Sequence, residues 1–250
     1  MRFLRLRLAY DGGEFVGWQV RPGQRTVQDE LQRAWQAVTG EHVSIAASGR
    51  TDSGVHALGQ VCGVATASSL SCDALRRALN AHLPFDVRIL HVDPAPQDFD
   101  PVRDALRKTY RYLLQTGRVP HLFWRHYAWY VPGALDVAAM RDAAARLEGE
   151  HDFASFQTSG SARLTTVRHV YRLVVREEQV AGYPQIQVEI TANGFLYNMV
   201  RSIVGTLVLV GRGKAPPAWA DQVLAAVDRR AAGPTAPGHG LYLVQVDYDF

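Results

Sequence analysis

The chain has 250 residues, 47% apolar and 20% charged, enough apolar content to build a large core as one extended domain or as two smaller ones. Lys and Arg exceed Asp and Glu by 27 − 24 = 3, an excess too small to name a nucleic-acid partner by itself. No apolar run approaches the ~20 residues that span a bilayer, and the opening MRFLRLRLAY alternates apolar and basic residues where a signal peptide has an apolar block, so a cytoplasmic location is the default expectation. Cys62 and Cys72, the only cysteines, have neither CxxC spacing nor a third sulfur nearby. That argues against a disulfide framework or a zinc knuckle and leaves both as small buried apolar residues.

Leu4, Leu6, Leu8 and Tyr10 alternate with Arg5 and Arg7, the period of a half-buried strand. Thr26 then precedes Val27, Leu31, Ala34, Trp35 and Val38, an apolar face at helical spacing closed by Gly40. Strand-like runs follow near residues 42–48 and 60–67, then a helix over about 72–83 capped by Ser71 and stopped by Pro84, then VRILHV at 87–92. The first third therefore reads β-α-β-β-α-β. The same order recurs: a strand near 105–116, a helix after Asp136, strands near 167–178 and 185–192, a helix from about 195 to 210, another after Pro217, and a closing strand in LYLVQVDY. Two such ferredoxin-like halves predict an α+β protein with a long, largely antiparallel sheet that leaves one face open to RNA. The join is expected near DFDPVRDA, where Pro101 interrupts the pattern, giving halves of 1–102 and 103–250.

Between two strand-like runs lies SGRTDSGVHALGQV, residues 48–61, in which Gly49, Gly54 and Gly59 surround Arg50, Thr51, Asp52 and His56. Glycine-rich loops on a rigid sheet are built to present side chains. Asp52 fits a catalytic carboxylate and equally a turn residue that accepts backbone N–H bonds. FLYNMVRSIVGTLVLVG, residues 195–211, is apolar nearly all round, which marks it as buried, yet it carries Arg201. A buried guanidinium calls for a carboxylate, with Asp52 one candidate whose pKa the pairing would lower; the other reading has Arg201 reaching the surface along its alkyl stem.

In KTYRY, residues 108–112, Tyr110 and Tyr112 share one face of a strand with Lys108. Core packing suits them, and so does stacking on an unstacked base, at about 1–3 kcal/mol per base. Arg21 and Arg25, the set Arg103, Arg107, Lys108 and Arg111, and later Arg163, Arg168, Arg212 and Lys214 suit phosphate contacts spread over a large anion, or plain surface charge. The histidines show no metal-ligand spacing, and no P-loop, dinucleotide loop or GxSxG elbow occurs, which argues against metal, nucleotide and acyl-serine chemistry.

Taken together, YDGGEFVGWQ (10–19), SGRTDSGVHALGQV (48–61), KTYRY (108–112), NGFLYNMVRSIVG (193–205) and GLYLVQVDY (240–248) resemble, in order and from the first strand to the last, the TruA family of bacterial tRNA pseudouridine synthases. GRTDSGVHA is the most specific of these blocks; YDG and KxYxY alone would be weak. The resemblance implies the pseudouridine synthase fold, conversion of uridine to pseudouridine in the anticodon stem-loop of tRNA, no metal and no cofactor, and a homodimer in which one tRNA touches both subunits. It also implies roles: Asp52 as the catalytic residue, Tyr110 stacked on the target base, Arg201 paired with the aspartate, and Arg50 filling the space vacated by the flipped nucleotide. RNA contacts are expected from the loops around 20–25 and 157–166.

The rival from another class is a non-catalytic RNA-binding module or RNA chaperone. A carboxylate in the most elaborate loop repels phosphate and has no purpose in a pure binder, which argues against that reading. A pseudouridine synthase acting on a different RNA would share the chemistry and differ in the surface that selects substrate.

Overall fold

The computed structural model describes residues 1–158 and 165–250. Along the chain run β1 (Arg2–Tyr10), α1 (Val27–Thr39), β2 (Ala46–Ala47), β3 (His56–Thr66), α2 (Cys72–His82), β4 (Val87–Ala95), β5 (Arg107–Gln115), β6 (Trp129–Tyr130), α3 (Val137–Ala145), β7 (Gly149–Asp152), β8 (Val167–Val180), β9 (Tyr183–Ala192), α4 (Met199–Gly211), α5 (Trp219–Ala226) and β10 (Leu241–Asp247). The fold is α+β with mostly antiparallel strand pairing, β3 with β10 and β5 with β6 being parallel. The chain forms two compact units, Met1–Leu106 with Tyr242–Phe250, and Arg107–Leu241.

In the first unit the strand order is β4-β1-β3-β10, with β2 beside the far end of β3. The alternation in β1 sends Leu4, Leu6 and Leu8 into the core, where α1 adds Val27, Leu31, Ala34 and Trp35 and α2 adds Leu75 and Leu79. Ser71 Oγ accepts from Ala74 N–H at 3.2 Å, the N-cap bond its position anticipates, and Gly40 ends α1 in the left-handed region at φ 75°. Thr26 occupies the N-cap of α1 without a side-chain cap bond; Asp29 and Glu30 in the first turn meet the positive end of the helix instead. Cys62 is buried in β3, where burial pushes its thiol well up, whereas Cys72 begins α2 and is half-exposed, so only one of the two cysteines is a core residue.

Two elements depart from the sequence reading for identifiable reasons. Of the stretch 42–48 only Ala46–Ala47 is strand, because the carbonyls of Val43 and Ile45 are taken by the side-chain amides of Gln32 (2.8 Å) and Gln28 (2.9 Å) on α1. β3 begins at His56 and not near residue 60, because Tyr242 and Leu243 of β10 pair with His56 and Ala57. Gly59 permits that approach, since a Cβ there would lie 2.4 Å from the Val244 carbonyl oxygen.

The second unit orders its strands β5-β9-β8-β7, with β6 against β5. β8 and β9 form a hairpin whose two turn residues, Ala181 (φ 51°) and Gly182 (φ 80°), both sit at positive φ, as a type I′ turn requires. α4 is buried along almost its whole length, and the chain presses Gly205 so closely to Pro234 that a Cβ would lie 1.7 Å from the Pro234 carbonyl oxygen. The helix starts at Met199; residues 195–198 form the approach to it, ending in Asn198 at φ 62°. The two-residue β6 and four-residue β7 are too short to show a period in the sequence.

Candidate active site

The loop from Ser48 to Val55 connects β2 to β3, and its first half is fastened by buried side chains. Gln60, fully buried in β3, accepts from Ser48 Oγ at 2.8 Å and donates to the Gly49 carbonyl at 2.8 Å and to Tyr10 Oη at 3.3 Å. Tyr10 Oη in turn lies 2.7 Å from Thr51 Oγ1. These bonds hold Ser48, Gly49 and Thr51, and so present Arg50, exposed between them, and Asp52, half-buried just beyond. Residues 52–55 then make a turn in which Val55 N–H donates to the Asp52 carbonyl at 3.2 Å, with Gly54 at φ 75° in the position where a positive φ excludes most side chains.

Segment 10–19 forms the second support. Trp18 N–H donates to the Thr51 carbonyl at 3.0 Å, and Gly54 N–H and Ser53 Oγ both donate to the Phe15 carbonyl at 3.3 Å. Gly12 and Gly17 allow the contact: a Cβ on Gly12 would lie 2.0 Å from the Val55 carbonyl oxygen, and one on Gly17, at φ 101°, 2.7 Å from that of Thr51. Gly12 N–H also approaches His56 Nδ1 at 3.0 Å, and Asp11 Oδ1, 3.1 Å from the same nitrogen, accepts from Gly13 N–H at 2.9 Å. The His56 ring stacks on Tyr242 at 4.8 Å. Tyr10, Gly12, Gly17, His56 and Gln60 are therefore site residues to which sequence reasoning assigned no role, although their segments were visible as motifs. A carboxylate carried on a loop held this firmly suits a step that demands a fixed base or nucleophile.

Tyr110 and Arg201 belong to the second unit. Tyr110 lies on β5 opposite Ile190, is 8% exposed, and meets Phe195 edge-to-face at 4.9 Å and 80°. Tyr112, two residues on, is wholly buried, donates to the Pro237 carbonyl at 2.7 Å and packs where a Cβ on Gly240 would come within 2.6 Å of its ring. Tyr112 thus serves the core, and Tyr110 is left as the ring at its margin. Arg201, in the first turn of α4, is half-buried and not fully buried; its Nε donates to the Ala236 carbonyl at 2.6 Å and its Nη1 to Asn198 Oδ1 at 2.8 Å. The short stretch 195–201 therefore supplies the ring against Tyr110, the amide under the guanidinium and the guanidinium itself.

Several cations read from the sequence as phosphate contacts have structural duties. Arg25 grips Asp86 through two bonds of 2.7 and 2.9 Å, bonds Glu30 at 3.2 Å, and lies 4.2 Å over the Phe15 ring, fixing the outer side of segment 10–19. Hydrogen bonding to Asp86 raises its already high pKa further. Arg111 pairs with Glu189 across the strands at 2.8 Å, Arg103 with Asp104 at 2.7 Å, and Arg168 is buried and donates to the carbonyls of Thr165 and Val167. Arg163 and most of the loop 157–166 lie outside the described residues. Arg21, Arg212 and Lys214 remain exposed.

Residues 8–102 and 143–249 match the family described as tRNA pseudouridine synthase. The chain belongs to this family. The tRNA pseudouridine synthase match takes in segment 10–19, Arg50, Asp52, His56 and Arg201, while Tyr110 falls between its two stretches. Relatives named tRNA pseudouridine synthase A include one from Chloroflexus aurantiacus, 46% identical over 248 residues that cover 99% of this chain and 89% of the relative. One from Moorella thermoacetica is 44% identical over 250 residues, covering 99% of this chain and all of its own length. One from Bacillus subtilis is 44% identical over 248 residues, covering 98% and 99%.

Proposed function

We propose that this chain isomerises uridine to pseudouridine in the anticodon stem-loop of tRNA, with Asp52 as its catalytic carboxylate and without a cofactor. The observation that carries the reading is the way Asp52 is held: its loop is tied at Ser48, Gly49 and Thr51 by Gln60 and Tyr10, and supported from beneath by segment 10–19. Membership of the tRNA pseudouridine synthase family supports the reaction class and the class of RNA.

The chemistry explains the short list of parts. The reaction breaks the N1–C1′ bond, turns the uracil and joins C5 to C1′, with no net redox change and no group lost. One ionised, fixed carboxylate suffices, either adding to the nucleotide or removing a sugar proton to give a glycal-like intermediate. The target base must leave its stack, at a cost of a few kcal/mol that is least in a flexible loop, which favours the anticodon arm. In this reading Tyr110 stacks on the flipped base, Arg201 supplies the counter-charge to the carboxylate, and exposed Arg50 fills the space left in the RNA. The working assembly is a homodimer whose two subunits share one tRNA, located in the cytoplasm with its substrate; sedimentation velocity reads the first of these. A non-catalytic RNA-binding module would have no use for a carboxylate carried on a loop that two buried polar side chains tie at Ser48, Gly49 and Thr51.

The test is pseudouridine mapping of an unmodified tRNA that carries uridines in the 3′ half of the anticodon arm, incubated with the protein and no added metal. Conversion confined to those uridines is the expected result. Tight binding with no conversion would overturn the reading in favour of the binding module, and conversion elsewhere in the RNA would overturn the choice of target.

A further inference from the structure

In the first unit, alternation along β1 places Arg5 and Arg7 on the face of the sheet that Leu4, Leu6 and Leu8 do not occupy. A cavity of about 380 Å³ opens there, lined by Arg5, Arg7, His91, Asp93, Gln245 and Tyr248 among others, and by no residue of the Ser48–Val55 loop. Its charges are unevenly matched. Asp93, the one acid in the lining, sits opposite Arg5 in the β1–β4 register and is paired with it at 3.4 Å. Arg5 is held further by its bond to the Phe250 main-chain oxygen at 2.9 Å and by the Phe250 ring 5.2 Å away.

Arg7 sits opposite His91 in the same register; both are exposed, and neither has a hydrogen-bond or ion-pair partner among the described residues. Two nitrogen-bearing side chains thus stand directly across from each other, with the neighbouring carboxylate already engaged, where both can donate to one acceptor group. The walls are fixed: Tyr248 Oη donates to the Pro101 carbonyl at 2.7 Å, and Gln245 is tied to Asp247. At Gly59 the β10 main chain closes in, the Val244 carbonyl oxygen lying 2.4 Å and Arg7 Nε 3.4 Å from where a Cβ would be. A tetrahedral anion with several acceptor oxygens fits such a forked donor set.

We propose that this cavity is a phosphate subsite in which Arg7 and His91 together hold one backbone phosphate of the RNA substrate. The proposal rests on the reading that the substrate is tRNA. It is tested by equilibrium titration of unmodified tRNA with wild type, Arg7→Gln, Arg7→Lys and His91→Gln over a range of salt concentrations. The exposed Arg77→Gln, which removes a charge paired with Asp73 outside the cavity, serves as the control. Arg7→Gln is expected to weaken binding roughly threefold to tenfold and to make the slope of log K against log salt shallower by roughly 0.7–0.9, the loss of one phosphate contact. His91→Gln should weaken binding in the same direction, and Arg7→Lys should restore most of the affinity.

Unchanged affinity and slope in Arg7→Gln, with wild type binding and converting tRNA, would overturn the subsite and leave the proposed function standing. The subsite is equally overturned if Arg77→Gln weakens binding as much as Arg7→Gln, since the effect would then be overall charge. Failure of wild type to convert any tRNA uridine is the separate result that removes the functional reading, and the subsite with it.

Discussion

A methyl group on Gly12 would meet the Val55 carbonyl oxygen at 2.0 Å, so Gly12→Ala must push segment 10–19 away from the loop that carries Asp52. Overpacking of this kind costs about 1–3 kcal/mol, which in a chain of this size lowers Tm by roughly 2–4 °C per kcal/mol. Thermal melting beside single-turnover conversion should show the rate falling further than stability alone explains. Tyr10→Phe removes the hydroxyl that lies between Thr51 and Gln60 and leaves a buried amide short of a partner, at a cost of about 1–3 kcal/mol. Its expected signature is a folded protein with a reduced rate at saturating RNA; an unchanged rate would show that the tie is dispensable. Tyr110→Phe should lose less activity than Tyr110→Ala if the ring stacks on a base, and equal losses would point to the hydroxyl instead. At this scale the sequence exposed the loop and hid its supports. Asp52 and Arg50 stand out among glycines, but Trp18 and Gly54 hold the loop, and Gly12 bonds His56 beside it, through main-chain N–H groups, which leave no trace in side-chain pattern. Arg25 misled for the opposite reason: its charge is visible, while Asp86, which neutralises it, is far away in sequence.

Between elements, Glu41 ties the end of α1 to the end of β3. Its carboxylate accepts from Thr66 Oγ1, from Ala67 N–H at 2.7 Å and from Trp35 Nε1 at 3.2 Å, and the Thr66 hydroxyl foremost holds its pKa below the ordinary 4.5. A group whose folded pKa is depressed adds stability above its unfolded value and loses it as pH falls through the folded one. Glu41→Gln should therefore lower the urea midpoint at neutral pH, and the gap to wild type should close as the pH drops below the usual carboxylate range. A gap that stays constant would place the effect in packing and not in charge. Helices and long strands were legible because their periods repeat several times along the chain; the irregular stretch after Glu41 was not, since glutamines of α1 capture carbonyls that a strand partner would otherwise take. The helical period across 195–211 likewise gave no warning that the first four residues lead into α4 with Asn198 at positive φ, the bend that puts Phe195 against Tyr110 and the Asn198 amide under Arg201.

For the molecule as a whole, alternation in LYLVQVDY announces a strand but says nothing of its partner, and β10 returns to pair with β3 in the first unit. Strand partnership is a long-range property, which is why the α+β class was readable and the grouping of its elements was not. In the proposed function the carboxylate of Asp52 performs the isomerisation. The direct measurement is single-turnover conversion of unmodified tRNA by an excess of Asp52→Asn, with binding of the same RNA measured in parallel. The substitution is nearly isosteric, so affinity close to wild type with no pseudouridine formed is the predicted result. Pseudouridine produced by Asp52→Asn at any measurable rate would contradict it and move the chemistry to another residue.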